Sequence, residues 1–394
     1  MKFITPTVWI LSLVSLFTDM ASEMLYPIMP IYLKSIGFSI VLIGILEGIA
    51  EATAGLSKGY FGKLSDNSGK RVPFVQAGYA LSALSKPMMA FFIFPVWIFF
   101  VRTVDRLGKG VRTGARDALL SDEAAPEVKA KVFGFHRSMD TLGAAIGPGL
   151  ALIYLYYYPE DYLTLFYLAF IPGILAVLAS LYLKEKKKLI NSSRKSGSFF
   201  ASFSYWKSSP KSYRSLVGGL LLFALFNSSD VFILLKAKEA GLNDTMVIGA
   251  YIFYNLIYAL AAYPMGILAD RIGLKKVFIT GLLIFALVYS GLAFSTNLYI
   301  YFALFFLYGI YAAATEGISK AWISLITDKK DTATAIGTYS GFQSIFAMLA
   351  STLTGLIWYG FGASVAFLTT AFVSVGVGLY FLTRIPDPKK HMSV

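Results

Sequence analysis

The sequence predicts an all-α membrane protein of twelve transmembrane helices in two pseudo-symmetric six-helix bundles. Three observations lead there. The 394 residues are 57% hydrophobic and only 14% charged, where a soluble domain carries nearer a quarter charged residues. Apolar runs long enough to cross a bilayer recur about twelve times along the chain. The halves also repeat: Gly62, Asp66 and Gly69 recur as Gly266, Asp270 and Gly273, and Lys34 and Gly37 as Lys238 and Gly241, at one constant offset.

The expected spans are 7–33, 40–62, 72–92, 95–117, 132–156 and 162–183, then 214–236, 245–268, 276–296, 298–320, 333–358 and 363–383. The first begins like a signal peptide, with Lys2 before apolar residues. It runs on through Asp19 and Glu23 to Tyr32 without a clear cleavage site, so it reads as a spanning helix. Loops on one side carry most of the lysines and arginines, among them Lys63, Lys129, Lys275 and Lys329, whereas the other side has little beyond Lys34, Lys236 and Lys238. The rich side is expected to be cytoplasmic, with both termini there.

Between Lys184 and Arg214 stand nine basic residues and one acidic, which is +8 of the net +13. The positive charge is therefore a topology signal and not a footprint for nucleic acid. The expected organisation is an N-terminal bundle over 1–183, a cytoplasmic linker over 184–213 and a C-terminal bundle over 214–394. The linker reads as a solvated segment in preference to one lying among anionic headgroups. Membrane lipids are the only expected macroscopic partner. With no cysteine and two histidines, disulfides, thiolate metal sites and cysteine catalysis are excluded, and neither a metal nor a cofactor is expected.

The stretch Arg102–Asp117, RTVDRLGKGVRTGARD, puts charge at an improbable depth. At about 1.5 Å per residue from a helix start near Trp97, Asp105 and Arg106 fall near the middle of a bilayer core about 30 Å thick. Such groups face a bundle interior or a watery cavity. Polar and ionisable residues also gather on the first span (Asp19, Glu23), the seventh (Asn227, Asp230) and the tenth (Glu316), while the fifth carries His136, Arg137 and Asp140.

The loop GKLSDNSGKR (Gly62–Arg71) and its counterpart GILADRIGLKK (Gly266–Lys276) resemble the G-x-x-x-D-x-x-G-x-[RK] signature of the major facilitator superfamily. The second copy is the better match, because Arg271 follows its Asp where the first has Asn67. An aspartate there can pair with bases or with a helix N-terminus and so latch one conformation, which assigns Asp66, Arg71, Asp270 and Arg271 to gating. The fourth span is similar to the drug–proton antiporter branch in Arg102, but Arg106 stands where that branch has glycine. The fifth span, GFHRSMDTLGAAIGPG, holds G-x8-G-x3-G-P and resembles the helix-five signature of antiporters, although Leu150 and Ala151 depart from it. Gly143, Gly147 and Pro148 supply close helix approach and a bend, as a gating helix requires. FTDMASEMLYP and DRLGKGVRTGARDALLSD look like a bacterial subgroup of facilitators whose pattern fixes no substrate.

The resemblance covers the whole chain. It implies a monomeric transporter of the bacterial cytoplasmic (inner) membrane that works by alternating access, with spans one, four, seven and ten lining a cavity between the halves. On that basis Asp19, Glu23 and Asp105 are the candidates for proton coupling, with Arg102 as modulator. Arg106, Asn227, Asp230, Glu316 and His136 are the candidates for substrate contact, and Arg112 and Arg116 belong to an inner gate. A carboxyl group in a low-dielectric cavity holds its proton until an arginine approaches, so proton binding can bias a conformational equilibrium. The blander reading is mutual neutralisation of acids and bases, with Arg102–Asp105 and Asp19 with an arginine of the fourth span as plausible pairs. The expected function is a proton-coupled antiporter exporting a small organic compound: a drug, a metabolite or a siderophore. The alternative is an importer or facilitator of a small organic anion. An enzyme is disfavoured, since no G-K-[ST] phosphate loop, H-E-x-x-H motif or Ser–His pairing is present, and a sensor lacks a soluble domain to relay its signal.

Overall fold

The computed structural model describes residues 4–26, 28–185, 204–242, 244–295 and 297–386. The central part of the expected linker, 186–203, lies outside the described residues, as does the tail from 387. Among the described residues every regular element is a helix, which bears out the all-α reading.

Ten of the expected spans are single helices. They are α3 (Ile40–Ser68), α4 (Val72–Met88), α5 (Pro95–Glu123), α6 (Lys129–Tyr157) and α7 (Tyr162–Ser180), then α11 (Asp244–Ile272), α12 (Leu274–Phe294), α13 (Leu298–Ile326), α14 (Thr332–Phe361) and α15 (Ala363–Arg384). A short α8 (Tyr205–Ser208) precedes the second six. The first and seventh spans are broken, contrary to expectation. The first is α1 (Pro6–Leu25) followed by α2 (Met29–Ser35), and the seventh is α9 (Lys211–Ala224) followed by α10 (Val231–Glu239). Hydropathy cannot register these breaks, but local chemistry explains them. The first coincides with Pro27 and Pro30, and proline brings no N–H to a helix. The second coincides with Asn227–Ser228–Ser229–Asp230, where the Ser229 hydroxyl accepts the Val231 N–H at 3.4 Å and competes with helix continuation.

Among the described residues, eight helices are long and apolar enough to cross a membrane. Large apolar side chains such as Phe372 (81% exposed) and Leu260 (64%) point outward, as lipid-facing residues do. The chain is a multi-pass membrane protein. Helix α5 falls short on apolarity because it carries its ionisable groups inward: Arg102, Asp105, Arg112, Arg116 and Asp117 are all buried.

The repeat has a geometric basis. Gly37 and Gly241 have φ of +91° and +99°, and Gly69 and Gly273 have +65° and +108°, values that favour a residue without Cβ. Gly37 and Gly241 end α2 and α10 in the same way. Their N–H groups donate to Lys34 and Lys238 at 3.1 and 3.0 Å, and the next N–H reaches Leu33 and Ala237 at 2.9 and 3.2 Å. This is the Schellman termination. Helix pairing repeats as well: α5 packs mainly on α3 and α4, just as α13 packs on α11 and α12.

The chain forms two compact units. Unit one comprises residues 1–123, 139–208 and 328–344; unit two comprises 124–138, 209–327 and 345–394. They differ from the sequence halves at two places, the starts of α6 and of α14, and each exchange has an aspartate behind it. In unit one the Asp66 carboxylate accepts N–H groups from Ala333 (3.4 Å) and Thr334 (2.7 Å) and the Thr334 hydroxyl (2.7 Å). In unit two Asp270 accepts from Ala130 (3.1 Å) and Lys131 (2.8 Å). A carboxylate on the unsatisfied N–H groups of a helix start is a favourable charge–dipole contact.

Candidate functional site

Unit one holds an ionic cluster built on α1, α4, α5 and α6. On α5, residues 102, 105, 109, 112 and 116 recur at intervals of three and four, and Arg106 stands four on from Arg102, so they gather on one side of the helix. Asp105 meets Lys86 of α4 at 2.9 Å and Arg102 at 3.7 Å, and Arg106, half-buried, lies within electrostatic range of both Asp105 and Lys86. Deeper along the same face, Arg112 donates to the Ser82 hydroxyl at 2.6 Å and sits 4.6 Å from the centre of the Tyr79 ring. Arg116 pairs with Asp117 at 2.9 Å and reaches the Ser15 hydroxyl at 3.4 Å.

Across from α5, Asp19 of α1 lies beside Asp140 of α6, with Glu23 and Lys109 in electrostatic range. Ser15 donates to Asp140. Gly143 and Gly147 set this approach. A Cβ at Gly143 would stand 2.9 Å from the Met20 nitrogen, and one at Gly147 would stand 2.5 Å from the Met20 carbonyl oxygen. Pro148 follows inside α6 without ending it.

Unit two neutralises its charge differently. Asp230, at the break between α9 and α10, accepts hydroxyl groups from Tyr254 and from Tyr308, the latter at 2.7 Å. Asn227 donates to the Tyr311 hydroxyl at 3.0 Å. Around them the rings pack in series, with Phe285 4.2 Å from Tyr289 and 4.5 Å from Tyr311 between centroids. Glu316 meets Arg137 at 3.8 Å, and Arg137 in turn donates to the Tyr258 hydroxyl at 2.5 Å and covers its ring at 5.1 Å.

The structure therefore brings together Asp19 and Glu23, and separately Arg102, Asp105 and Arg106; it gathers Asn227 with Asp230, and pairs Glu316. His136 is buried in unit two, whereas Arg102 and Arg106 belong to unit one. Arg112 and Arg116 are buried, which removes headgroup contact as a role for them. Arg71 bridges Asp66 at 2.9 Å and Asp122 at 3.1 Å. Arg271, in the last turn of α11, is exposed. The counterpart of Arg71 by position in the repeat is Lys275, which donates to the carbonyls of Leu382 and Ile385 at 2.8 and 2.7 Å.

Three elements were not singled out from sequence. Lys86 is the nearest partner of Asp105, Asp140 is the partner of Asp19, and three tyrosines hold the polar groups of unit two. A signal for Asp140 exists, since it shares one face of α6 with Gly143 and Gly147 and so faces the helix those glycines admit.

Two bundles of paired helices, each carrying polar groups on inward faces, is the setting in which comparison with known proteins becomes informative. The family model described as Major Facilitator Superfamily matches residues 11–254 and 216–393. The chain belongs to the major facilitator superfamily. An uncharacterized MFS-type transporter of Methanocaldococcus jannaschii, MJ1317, is 31% identical over 363 residues, covering 90% of this chain and 89% of its own. Among solved structures, the human organic anion transporter MFSD10 superposes with a TM-score of 0.80 at 15% identity, covering 96% of this chain and 100% of its own. The Escherichia coli fucose:proton symporter FucP superposes with a TM-score of 0.76 at 14% identity, covering 97% and 99%. At those identities the likeness is one of fold. Members of this superfamily are transporters of small molecules and not enzymes, so transport is the activity the chain inherits from its family.

Proposed function

We propose that the chain is a proton-coupled secondary active transporter of a small organic compound, working as a monomer by alternating access in the bacterial cytoplasmic membrane with both termini inside. The observation that carries this reading is the apposition of Asp19 and Asp140, where Ser15 donates to Asp140 and Lys109 and Glu23 are near, because two carboxyl groups placed together can share one proton. If the distance of Lys109 or Arg116 from this pair changes with conformation, the proton affinity changes too, and by linkage the bound proton biases the conformation. Asp19 and Asp140 are then the proton carriers, Glu23 tunes them, and Arg102 fixes Asp105. Asp105 is committed to its ion pair with Lys86 and serves as an anchor more than as a carrier.

Export in exchange for protons is the direction we favour, supported by the helix-five pattern at Gly143, Gly147 and Pro148 and its close seat on α1. Arg106, Asn227, Asp230, Glu316 and His136 are proposed substrate contacts. Asp66, Asp270, Arg71, Arg271, Arg112 and Arg116 are proposed for gating, Asp66 and Asp270 by gripping helix N-termini. The test is a solute panel on protein reconstituted in liposomes under an imposed pH gradient. Asp19→Asn and Asp140→Asn are expected to abolish pH-driven flux while leaving pH-independent exchange of the same solute intact. Normal pH-driven flux in both variants removes the coupling assignment, and the sign of the flux decides between export and uptake.

A further inference from the structure

Unit one buries more base than acid around Asp105. Lys86, Arg102, Arg106 and Arg112 all lie within electrostatic range of this one carboxylate. Two of them touch it, and Arg112 is linked only to the Asp105 main chain, through Ser82, whose hydroxyl accepts from Arg112 and donates to the Asp105 backbone carbonyl at 3.2 Å.

Arg112 decides the sign. It is 5% exposed, is held by a hydroxyl group and the face of Tyr79, and its Nε has no hydrogen-bond partner. A buried guanidinium held only by neutral groups is expensive, because neither ring nor hydroxyl returns what water supplied. The neighbouring acids do not make up the difference. Asp117 is paired with Arg116, and Asp105 is already met by Lys86 and Arg102. In unit two, by contrast, Glu316 meets Arg137 and Asp230 is covered by phenols.

We propose that the face of α5 carrying Arg102, Arg106 and Arg112, with Lys86, is a binding site for an anionic group, so that the compound carried is an organic anion bearing a carboxylate or a phosphate ester. This rests on the transporter reading and names its substrate class. Arg106 is the primary contact, being half-buried where Arg112 is enclosed, and its planar fork suits a carboxylate or phosphate bidentately. Lys86 and Arg102 hold Asp105 aside, and Arg112 supplies the field behind. The aromatic series of unit two remains suited to an apolar body.

The experiment uses the full-length protein in non-ionic detergent free of added lipid. Its thermal unfolding is followed with benzoate, the neutral isostere benzamide, phenyl phosphate, and tetraphenylphosphonium as a bulky cation. Saturable stabilisation by benzoate or phenyl phosphate is expected, with none from benzamide or the cation. Arg106→Gln is expected to weaken anion binding at least tenfold, while Arg106→Lys, which keeps charge without the fork, loses less. If Arg106→Gln is not monodisperse, Arg106→Lys and Ser82→Ala carry the test, and unchanged affinity in both overturns the assignment. The inference also falls if benzamide matches benzoate, if only the cation binds, or if neither anion binds. A response to phosphatidylglycerol but to neither small anion reassigns the site to lipid and overturns it equally. Proton-driven flux of a cation would sink this inference alone. Anion binding without flux of any solute would sink the transporter reading alone.

Discussion

Unit one and unit two hold their most buried carboxylates by different means. Unit one sets charge against charge: Lys86 and Arg102 on Asp105, and Arg116 on Asp117. Unit two sets charge against neutral donors, with Asp230 held by Tyr254 and Tyr308. An ion pair in low dielectric is sensitive to the loss of either partner, whereas a carboxylate held by phenols keeps its donors when its charge is removed. On the proposed mechanism an electrostatic switch would therefore belong in unit one, with unit two suited to hydrogen bonding.

The comparison is broken most directly at Asp105. Asp105→Asn leaves Lys86 and Arg102 buried without their carboxylate and is expected to destabilise the protein by about 3–5 kcal/mol. Thermal unfolding in detergent measures it. The double variant Lys86→Met with Asp105→Leu removes both members and is expected to recover most of that loss. A mild effect of the single variant would mean that unit one does not depend on charge balance. Asp230→Asn is the matching change in unit two, and its amide oxygen still accepts from one tyrosine. About 1–3 kcal/mol is expected, with Tyr308→Phe at the lower end of that range. Were Asp230→Asn to cost as much as Asp105→Asn, the distinction between the units would fail.

The architecture was largely legible, because it rests on short-range chemistry. Apolar run length located the helices, and the Gly37/Gly241 and Gly69/Gly273 pairs announced turns of positive φ twice over. Depth and spacing placed Arg102, Asp105 and Arg106 together on one inward face of α5. What stayed hidden depends on partners distant in the chain. Lys86 and Asp105 are on different helices, and so are Asp19 and Asp140, so no local pattern pairs them. The breaks at Leu25–Met29 and Ala224–Val231 were hidden because hydropathy averages over them. The first copy, which fits the loop signature less closely, forms the Asp66–Arg71 pair.

Gly147→Ala tests the seat of the proton pair without touching charge. Its Cβ would lie 2.5 Å from the Met20 carbonyl oxygen, so α1 and α6 must part locally, at about 1–3 kcal/mol. Because the same shift separates Asp19 from Asp140, pH-driven flux is expected to fall by more than pH-independent exchange. Equal losses in both would make the glycine a packing residue only.

The smallest effects are expected at the two aspartates that grip helix starts, and they refine the comparison because repeat symmetry alone predicts equal ones. Asp270→Asn removes a charge from the N–H groups of Ala130 and Lys131, worth about 0.5–1 kcal/mol. Asp66→Asn removes the same kind of contact from Ala333 and Thr334 and in addition strips Arg71, which is 4% exposed, of one of its two carboxylates. Its loss is therefore expected at about 1–2 kcal/mol. Arg71→Ala measured alongside closes a double-mutant cycle with Asp66→Asn. A coupling near zero would leave helix capping as the whole role of Asp66, while a coupling of about 1 kcal/mol would show that unit one relies on ion pairing at its edge as it does in its interior.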